Sequence, residues 1–329
     1  MAPLRIGILG AARIAPPALI KPARKVDEVE VTAIAARDRA KAEKFARKHR
    51  VPRVHDSYDA LLADPDIDAI YNPLPNGLHG KWTIAALEAG KHVLCEKPFT
   101  ANADEAVAVA KVEARSGLVV MEAFHYRYHP LADRVVEIAN DGTLGEVERM
   151  EAWMIIPFVA PGDIRWKLDL AGGSSMDVGC YTIHLLRSVA QAEPEVTTAS
   201  ARERTPGVDK WLRADMAFAD GRTGRITNAM MAPPFLKLGA EVKGTKGTLR
   251  VLNPYAPHYF HRLTVRMHNG RLKQPHFPRQ PTYLYQLRAF AGAVLRGEPI
   301  KTGTDDAIAN MRVIDAAYQA AGMEPRQPS

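Results

Sequence analysis

Strand and helix patterns alternate regularly through the first 122 residues of this 329-residue chain, and this alternation constrains the fold more than any other feature. The apolar run at residues 4–9 predicts a buried strand. Further strands are predicted at residues 29–36, 69–72, 92–95 and 118–121, with helices at 39–49, 79–89 and 103–116. Gly90 and Gly117 stand just past two of these helices, where left-handed C-caps need glycine. The alternation predicts a doubly wound parallel sheet, an α/β fold.

From residue 123 the pattern changes to consecutive strand segments joined by short turns. The predicted strands are at residues 146–158, 195–203, 211–218, 224–232, 237–243 and 248–252. This arrangement predicts a mainly antiparallel, open-faced sheet in an α+β domain. Helices at 286–295 and 305–321 are expected to cover one face. The other face is expected to be broadly apolar, which predicts a dimer or tetramer, because soluble monomers rarely expose such a surface.

The composition indicates a globular protein. Hydrophobic residues make up 47% of the chain and charged residues 25%, and the apolar runs stay far below the roughly 20 residues of a membrane helix. A strand beginning by Leu4 leaves no room for a signal peptide. The two cysteines, Cys95 and Cys180, are expected to be buried thiols in a cytoplasmic protein. Residues 254–281 suggest no role, and residues 324–329 are predicted to be disordered.

The net charge of +7 raises the question of nucleic-acid binding. The basic residues are interspersed with acids and form no sustained Lys/Arg block, as along residues 41–53. No nucleic-acid partner is therefore expected. The positive field favours anionic ligands in general.

A glycine- and alanine-rich turn follows the first strand and reads Gly10-x-Ala12-x-x-Ala15. The complete dinucleotide fingerprint has glycine at all three positions, for a tight turn, a close approach to the pyrophosphate and helix packing. Alanine adds only a methyl group at the last two positions. The turn therefore predicts a dinucleotide site, in which Arg13 and Ile14 also take part.

The end of the second strand indicates which dinucleotide is bound. Enzymes that use NAD usually have Asp or Glu at this point to bind the ribose 2′-hydroxyl. This chain has Ala36, which leaves space for a 2′-phosphate, and Arg37, which offers a guanidinium to bind it. Asp38 is interpreted as the N-cap of the next helix. NADP(H) is the expected cofactor, with NAD(H) as the lesser alternative.

Two polar segments follow later strands of the first domain. Residues 73–79 follow the strand that ends at residue 72, and Glu96-Lys97-Pro98 follows the strand that ends at Cys95. Ligands of open parallel sheets bind beyond the carboxyl ends of the strands, so both segments are candidates for a ligand site. The ordinary interpretation of Lys97 is a surface lysine.

A second candidate site begins at Gly172-Gly173, which precedes a predicted helix. On that helix Asp177, Tyr181 and His184 have the spacing of one face. An acid and a phenol on one stripe are typical of proton transfer. The alternative is structural, with Asp177 as a helix cap and Tyr181 as a core residue.

The Gly/Ala-rich turn, residues 73–79, Glu96-Lys97-Pro98 and residues 172–181 occur in this order, and together they resemble the glucose-fructose oxidoreductase, inositol dehydrogenase and rhizopine catabolism family of NAD(P)-dependent oxidoreductases. The resemblance covers residues 5 to about 322. It implies that residues 73–79 line the nicotinamide ribose and that the tyrosine at position 181 handles the substrate proton. Tyrosine rather than histidine at this position places the chain nearest the sugar and dihydrodiol dehydrogenase branches. The resemblance also implies subunit pairing through the open sheet face.

The expected domains are a dinucleotide-binding Rossmann domain at residues 1–122 and a substrate-binding and oligomerisation domain at 123–329. The predicted cofactor-binding residues are Gly10, Ala12, Arg13, Ile14, Arg37, Pro73, Leu74, Asn76, His79, Glu96 and Lys97. The predicted substrate-binding residues are Lys97, Arg165, Trp166, Asp177, Tyr181 and His184, of which Lys97, Asp177 and Tyr181 are the predicted catalytic residues. No metal is expected, on the interpretation that neither the histidines nor the cysteines have ligand spacing such as H-x-x-x-H or C-x-x-C.

These observations predict an NADP-dependent oxidoreductase that transfers a hydride between the nicotinamide and a secondary alcohol or hemiacetal carbon of a sugar, polyol or cyclic diol. Tyr181 would exchange the substrate proton, and Lys97 would lower the phenol pKa from its usual value of about 10. Two alternatives stay open. One is a non-catalytic dinucleotide-sensing regulator, and the other is an enzyme that cleaves glycosides by transient oxidation.

Overall fold

The computed structural model describes residues 2–157, 160 and 162–329 of the chain. It divides into two compact units, neither of which is continuous in sequence. The first unit consists mainly of the residues up to His125 together with Pro281–Ile308. The second consists mainly of Tyr126–Gln280 and Ala309–Gln327.

The first unit contains a sheet of six strands in the order β3-β2-β1-β4-β5-β6, and every neighbouring pair is parallel. The strands are β1 (Leu4–Leu9), β2 (Val29–Ala35), β3 (Arg53–His55), β4 (Ala69–Asn72), β5 (His92–Cys95) and β6 (Val120–Glu122). The strand order reverses between β1 and β4, as in a Rossmann fold. The predicted doubly wound parallel sheet is confirmed.

The helices of the first unit follow the predicted alternation, with additions. A π-helical turn at Pro16–Ile20 runs into α1 (Lys21–Ala23), and α2 (Arg39–His49), α3 (Tyr58–Leu62), α4 (His79–Glu88) and α5 (Ala103–Ser116) follow. The Asp38 side chain caps α2 by accepting a hydrogen bond from the Lys41 backbone N–H, as predicted. A later helix, α8 (Thr282–Arg296), packs against α1 and the π-helical turn. The predicted position of this helix, on the sheet of the second domain, is therefore wrong.

The second unit contains a sheet of eight strands in the order β14-β13-β12-β11-β7-β10-β9-β8. The strands are β7 (Val147–Ile156), β8 (Glu195–Thr205), β9 (Val208–Ala217), β10 (Thr223–Met230), β11 (Lys237–Gly244), β12 (Gly247–Leu252), β13 (Arg262–Met267) and β14 (Gly270–Leu272). All neighbouring pairs are antiparallel except β7 and β10. The mainly antiparallel sheet is confirmed. Phe158, the predicted end of the first of these strands, lies outside the described residues.

One face of this sheet carries the core of the second unit. The helices of this unit are α6 (Pro130–Asn140), α7 (Cys180–Ala190), which continues a π-helical turn at Ser175–Gly179, and most of α9 (Thr304–Ala320). Helix α7 packs on β7 and β10. Ala152, Leu212 and Ile226, at alternate strand positions, are buried beneath it.

The opposite face of the sheet is charged, so the expectation of a broad apolar face is wrong. Arg225 pairs with Asp215 at 2.5 Å, and Arg149 pairs with Glu151 at 2.6 Å. Further ion pairs join Glu241 to Lys243 and Arg250, and cations lie over two tryptophans, Lys237 on Trp153 and Arg202 on Trp211. Two of these ion pairs, Arg225–Asp215 and Arg250–Glu241, join opposite charges at cross-strand positions, which stabilises a solvated face without apolar cover.

Both cysteines are buried and unpaired, which confirms the prediction of buried thiols. Among the helices of the described ranges, none is long and apolar enough to span a bilayer.

Candidate active site

The turn after β1 has the geometry of a dinucleotide-binding turn. Gly10 has φ +82°, and its backbone N–H donates to the carbonyl oxygen of Ala35 at 2.7 Å. A Cβ at Gly10 would lie 3.1 Å from Cδ2 of Leu74. A side chain here would therefore close the space between the turn and the 73–79 loop. Ala12, Arg13 and Ile14 are all at least partly exposed, so the predicted turn residues are open to a ligand.

Arg37 and Arg39 differ in their surroundings, although they stand two residues apart. Arg39 is engaged by Glu43 at 3.0 Å and by Asp56. Arg37 is exposed, and no acid among the described residues pairs with its guanidinium. Ala36 is buried beside it. The end of β2 thus presents a cation that is available to an anionic ligand.

Tyr58 is a residue of this site that the sequence did not indicate. Its hydroxyl accepts a hydrogen bond from the backbone N–H of Arg37, and it would lie 3.7 Å from a Cβ at Gly10. Burial raises the pKa of this phenol, so it is neutral at physiological pH. Tyr58 therefore lies near both the Gly10 turn and Arg37. It belongs to α3, for which no helical pattern is evident in the sequence.

His79 joins the 73–79 loop to the Glu96-Lys97-Pro98 segment. Its Nε2 lies 2.7 Å from the carbonyl oxygen of Leu74, and its Nδ1 lies 2.8 Å from that of Pro98. Burial lowers the pKa of His79 to about 4, although these two hydrogen bonds raise it, so the ring is neutral at pH 7. A neutral imidazole has one N–H, so His79 donates to one of the two carbonyl oxygens and lies in contact with the other, between the two segments.

The Asn72 side chain secures the same loop from the end of β4. It donates to the carbonyl oxygen of His79 at 3.1 Å and to the Thr83 hydroxyl at 3.2 Å. Within the loop, Pro73 is buried and Asn76 is partly exposed. Of the polar residues predicted in this loop, Asn76 is therefore the one that is accessible to a cofactor.

The Glu96-Lys97-Pro98 segment follows β5, and its acid, Glu96, is hydrogen-bonded. The Tyr71 hydroxyl donates to Oε1 of buried Glu96 at 2.6 Å. Burial, with the Glu96 charge, raises the pKa of Tyr71 well above its ordinary value. Lys97 is partly exposed, and its charge contributes to the lowered pKa of His79. The structure thus brings Lys97 and His79 together at the carboxyl end of the sheet.

In the second unit, Asp177 is paired with Arg165. Nε of Arg165 lies 2.9 Å from a carboxylate oxygen of Asp177, and its NH1 lies 3.0 Å from Asp163. The charge of Asp177 raises the pKa of Arg165. Two predicted substrate-binding residues, Arg165 and Asp177, therefore form one ion-paired unit. Asp163 supports it and was not predicted.

Tyr181, on the first turn of α7, lies in a cluster of tyrosines. Its ring centroid is 5.9 Å from those of Tyr126 and Tyr255. The Tyr126 hydroxyl lies 2.5 Å from Nδ1 of His184, which is buried. Tyr126 therefore links two predicted residues, Tyr181 and His184. Neither Tyr126 nor Tyr255 was among the predicted site residues, and Tyr255 lies in the stretch whose role could not be predicted.

Trp166 is largely a core residue. It is buried with Val178, Val208 and Met230, and the Arg204 guanidinium lies 4.7 Å from its ring centroid. Its indole N–H has no hydrogen-bond partner within the described part of the chain. The predicted contact between Trp166 and the substrate therefore stays a prediction.

His125 and His129 have the four-residue spacing of a metal-ligand pair, so the prediction that the histidines lack such spacing is wrong. Nδ1 of His125 lies 2.8 Å from the Thr282 hydroxyl. His129 accepts a hydrogen bond from the Leu131 backbone N–H, and its Nε2 lies 2.8 Å from the carbonyl oxygen of Pro278. Both residues thus have protein partners. In the described ranges, no group of three or more His, Cys, Asp or Glu residues could hold a metal.

Comparison with known proteins identifies relatives that match two thirds or more of the chain. D-xylose 1-dehydrogenase (NADP(+)) 2 of Haloferax volcanii is 38% identical over 324 residues, which cover 97% of each chain. A trans-1,2-dihydrobenzene-1,2-diol dehydrogenase of Xenopus tropicalis is 31% identical over 68% of this chain and 67% of its own. The crystal structure of a 3-ketoreductase from Actinomadura kijaniata, in complex with NADP and TDP-benzene, superposes with a TM-score of 0.90 at 31% identity. That match covers 97% of this chain and 98% of the ketoreductase.

Two family models match consecutive parts of the chain. The model described as an oxidoreductase family with an NAD-binding Rossmann fold matches residues 4–124. The GFO/IDH/MocA C-terminal domain matches residues 133–250. The resemblance predicted from the four sequence motifs is therefore confirmed, and the chain belongs to the GFO/IDH/MocA family of NAD(P)-dependent oxidoreductases.

Proposed function

We propose that this chain is an NADP-dependent oxidoreductase that transfers a hydride between the nicotinamide and a secondary alcohol or hemiacetal carbon of a sugar, polyol or cyclic diol. The names of its relatives support this substrate class, since they include a xylose dehydrogenase and a dihydrodiol dehydrogenase. The observation that carries the proposal is the position of Tyr181 in the tyrosine cluster of the second unit.

The first unit fits a dinucleotide with a 2′-phosphate. The Gly10 turn leaves room for the pyrophosphate, since a Cβ would fill that space. Arg37, exposed beside buried Ala36, binds the 2′-phosphate. Asn76 and Glu96 contact the nicotinamide ribose, and Tyr71 orients the Glu96 carboxylate. His79 acts on the cofactor indirectly, by holding both segments in place.

Tyr181 is the member of its tyrosine cluster that suits proton exchange. The Tyr126 hydroxyl bonds to His184, and the Tyr255 hydroxyl donates to the carbonyl oxygen of Gly239 at 3.3 Å. Tyr181 is 6% exposed, compared with 0% for Tyr126 and 2% for Tyr255. Burial raises the pKa of Tyr255 well above its ordinary value, so that phenol stays protonated. Tyr126 and Tyr255 thus hold the ring of Tyr181 in place. Their own hydroxyls are bonded to His184 and Gly239, so Tyr181 is the tyrosine that exchanges a proton with the substrate.

Tyr181, Lys97 and Asp177 have separate roles in the proposed reaction. A nicotinamide held by the first unit would supply or accept the hydride. Tyr181 donates its phenolic proton to the substrate oxygen during reduction and takes it back during oxidation. A phenol has an ordinary pKa of about 10, and a cation lowers it; Lys97 supplies that charge. Asp177, neutralised by Arg165, accepts a hydrogen bond from a substrate hydroxyl.

Cofactor turnover tests the proposal directly. Aldoses, inositols and vicinal diols are incubated with NADP⁺ or NAD⁺, and nicotinamide reduction is measured for the native protein, for Tyr181→Phe and for Tyr259→Phe as a control. Tyr259 is 70% exposed, so its variant should keep native turnover. Stoichiometric cofactor reduction that is lost only in Tyr181→Phe supports the proposal.

Two other outcomes would replace it. When a glycoside is added to the same panel, release of its sugar without net cofactor consumption indicates glycoside cleavage by transient oxidation. Cofactor binding without turnover on any of these substrates indicates a dinucleotide sensor.

We also propose that the chain forms a dimer or tetramer through the charged face of the second-unit sheet. Trp153 and Trp211 lie on this face beneath cationic side chains. Tryptophan and arginine are enriched where protein interfaces hold their binding energy. The ion pairs on this face supply charges that a second copy can complement.

A further inference from the structure

We infer that Asp209 and Arg326 are positioning residues, which fix the turn that carries Asp177 and Tyr181. The inference rests on the proposed role of Tyr181 in proton exchange. It concerns a buried charge cluster beneath residues 172–175, defined here by Asp209, Tyr318 and Arg326.

Asp209 binds the start of the π-helical turn with one carboxylate oxygen. Its Oδ2 accepts hydrogen bonds from the Ser174 hydroxyl at 2.6 Å, and from the hydroxyl and backbone N–H of Ser175, both at 2.8 Å. The Asp209 side chain is completely buried. The turn at Ser175–Gly179 contains Asp177 and leads directly into Tyr181. The carboxylate therefore fixes the segment from which both site residues project.

Arg326 neutralises the other carboxylate oxygen and holds the chain just before the serines. Its guanidinium lies 2.9 Å from Oδ1 of Asp209, and its Nε donates to the carbonyl oxygen of Gly172 at 2.7 Å. The Tyr318 hydroxyl donates to the same Oδ1 at 2.8 Å. The Arg326 side chain is 1% exposed. The predicted disorder of residues 324–329 is therefore wrong at this position.

Gly173, the second residue of the Gly172-Gly173 motif, lies directly against this charge cluster. Gly173 has φ +136°, and a Cβ there would lie 2.1 Å from Oδ1 of Asp209 and 2.9 Å from the Arg326 guanidinium. Position 173 must therefore be glycine for the charge pair to approach the backbone. From the sheet side, the Asn228 amide donates to the Ser174 hydroxyl at 3.0 Å. The turn is thus held from several sides by polar contacts of fixed direction.

A charge pair is a costly way to fill a core. Apolar side chains of similar volume often give equal or greater stability, because two ions must be desolvated. Asp209 and Arg326 instead form hydrogen bonds to Gly172, Ser174 and Ser175. These bonds have fixed directions, which apolar packing does not provide. Catalytic groups need such support, since a misplacement of about 1 Å can cost roughly 100-fold in rate.

The experiment compares Arg326→Lys and Tyr318→Phe with Gln327→Ala in the full-length protein. Arg326→Lys keeps the charge but loses the paired contacts of the guanidinium, and Tyr318→Phe removes one hydroxyl and leaves the ion pair. Gln327 is exposed and bonds weakly to the Pro325 carbonyl, so it serves as the matched control. Arg326→Lys should lower kcat by roughly tenfold or more, with a smaller decrease for Tyr318→Phe. The Kd for NADPH should stay unchanged, and the apparent pKa in the pH profile of kcat should shift.

Combination with Tyr181→Phe separates positioning from a loss of folded protein. If Arg326 acts through Tyr181, Arg326→Lys should lower kcat little further in the Tyr181→Phe background. A loss of folded protein would lower kcat by the same factor in both backgrounds. If Arg326→Lys does not fold, the same comparison is made with Tyr318→Phe.

Different results would contradict the positioning role of Arg326 and the proposed function. A native kcat and pH profile in both Arg326→Lys and Tyr318→Phe, or equal factors in both backgrounds, would overturn the positioning role. Native turnover by Tyr181→Phe would overturn the proposed role of Tyr181 in proton exchange, on which this inference rests, and a lack of cofactor turnover by the native protein would overturn the proposed function itself.

Discussion

Arg37→Ala should change the choice between the two nicotinamide cofactors and little else. The Arg37 guanidinium is exposed and unpaired among the described residues, so its removal leaves no buried partner without a contact. A hydrogen bond to a charged group contributes about 1.5–3 kcal/mol, which corresponds to roughly 10- to 150-fold in affinity. The KM for NADPH should rise by such a factor, and the KM for NADH should stay nearly constant because NADH lacks the 2′-phosphate.

Arg39→Ala is the matched control. Arg39 has the same charge two residues along the chain, but it pairs with Glu43 and Asp56. Surface ion pairs contribute about 0–1 kcal/mol, so this variant should keep both native KM values within roughly twofold. Initial rates at varied NADPH and NADH, with one saturating sugar, measure both constants. An equal loss of affinity for both cofactors in Arg37→Ala, or the same loss of NADPH affinity in Arg39→Ala, would refute the assignment.

Three further predictions concern chemistry, assembly and pH. Lys97→Met and Tyr181→Phe should each lower kcat by roughly 10²–10⁴, with NADPH binding largely kept. The double variant should be little worse than the more impaired single one, and additive effects in steady-state kinetics would contradict a shared role. Light scattering should find a dimer or tetramer, and Trp153→Glu should yield monomers; a native monomer at micromolar concentration would exclude the interface. Because burial lowers the pKa of His79 from 6.5 to about 4, the unfolded chain binds this proton more tightly, and stability is lost as the pH falls below 6.5. Between pH 7 and 5 this residue alone should lower the free energy of unfolding by about 2 kcal/mol, and urea titrations of His79→Gln should lack that part of the change.

The Rossmann sheet was predictable because its signals are local. Its buried strands are short apolar runs, and Gly90 and Gly117 end two helices with the positive φ angles that favour glycine. Strand β3 and helix α3 escaped prediction because they are short. β3 has only three residues, all half-buried, so neither an apolar run nor an alternation marks it. Strands β13 and β14 lie in a proline- and histidine-rich stretch that gives no strand signal.

The site was predictable as a set of candidate residues, but their partners were not. The motifs identified Asp177 and Tyr181 because their spacing is local. The packing of Tyr255 on Tyr181 and the bond from Tyr71 to Glu96 depend on how distant segments meet. Arg326 shows the limit most clearly. A charged residue among prolines is typical of a disordered segment, and contacts with residues distant in sequence, Asp209 and Gly172, order it.

The discontinuous units have a consequence for the order in which the protein folds during synthesis. A growing chain that has reached residue 280 contains the fourteen strands found in the described residues, but it lacks α8, Tyr318 and Arg326. The first unit is then missing the helix that packs on α1, and the second is missing the cation that neutralises buried Asp209. Domains usually fold as units, beginning with the N-terminal one as it emerges from the ribosome. Here both units need the same late segment, so they should complete their folding together, and truncation after residue 280 should leave neither unit in its native state.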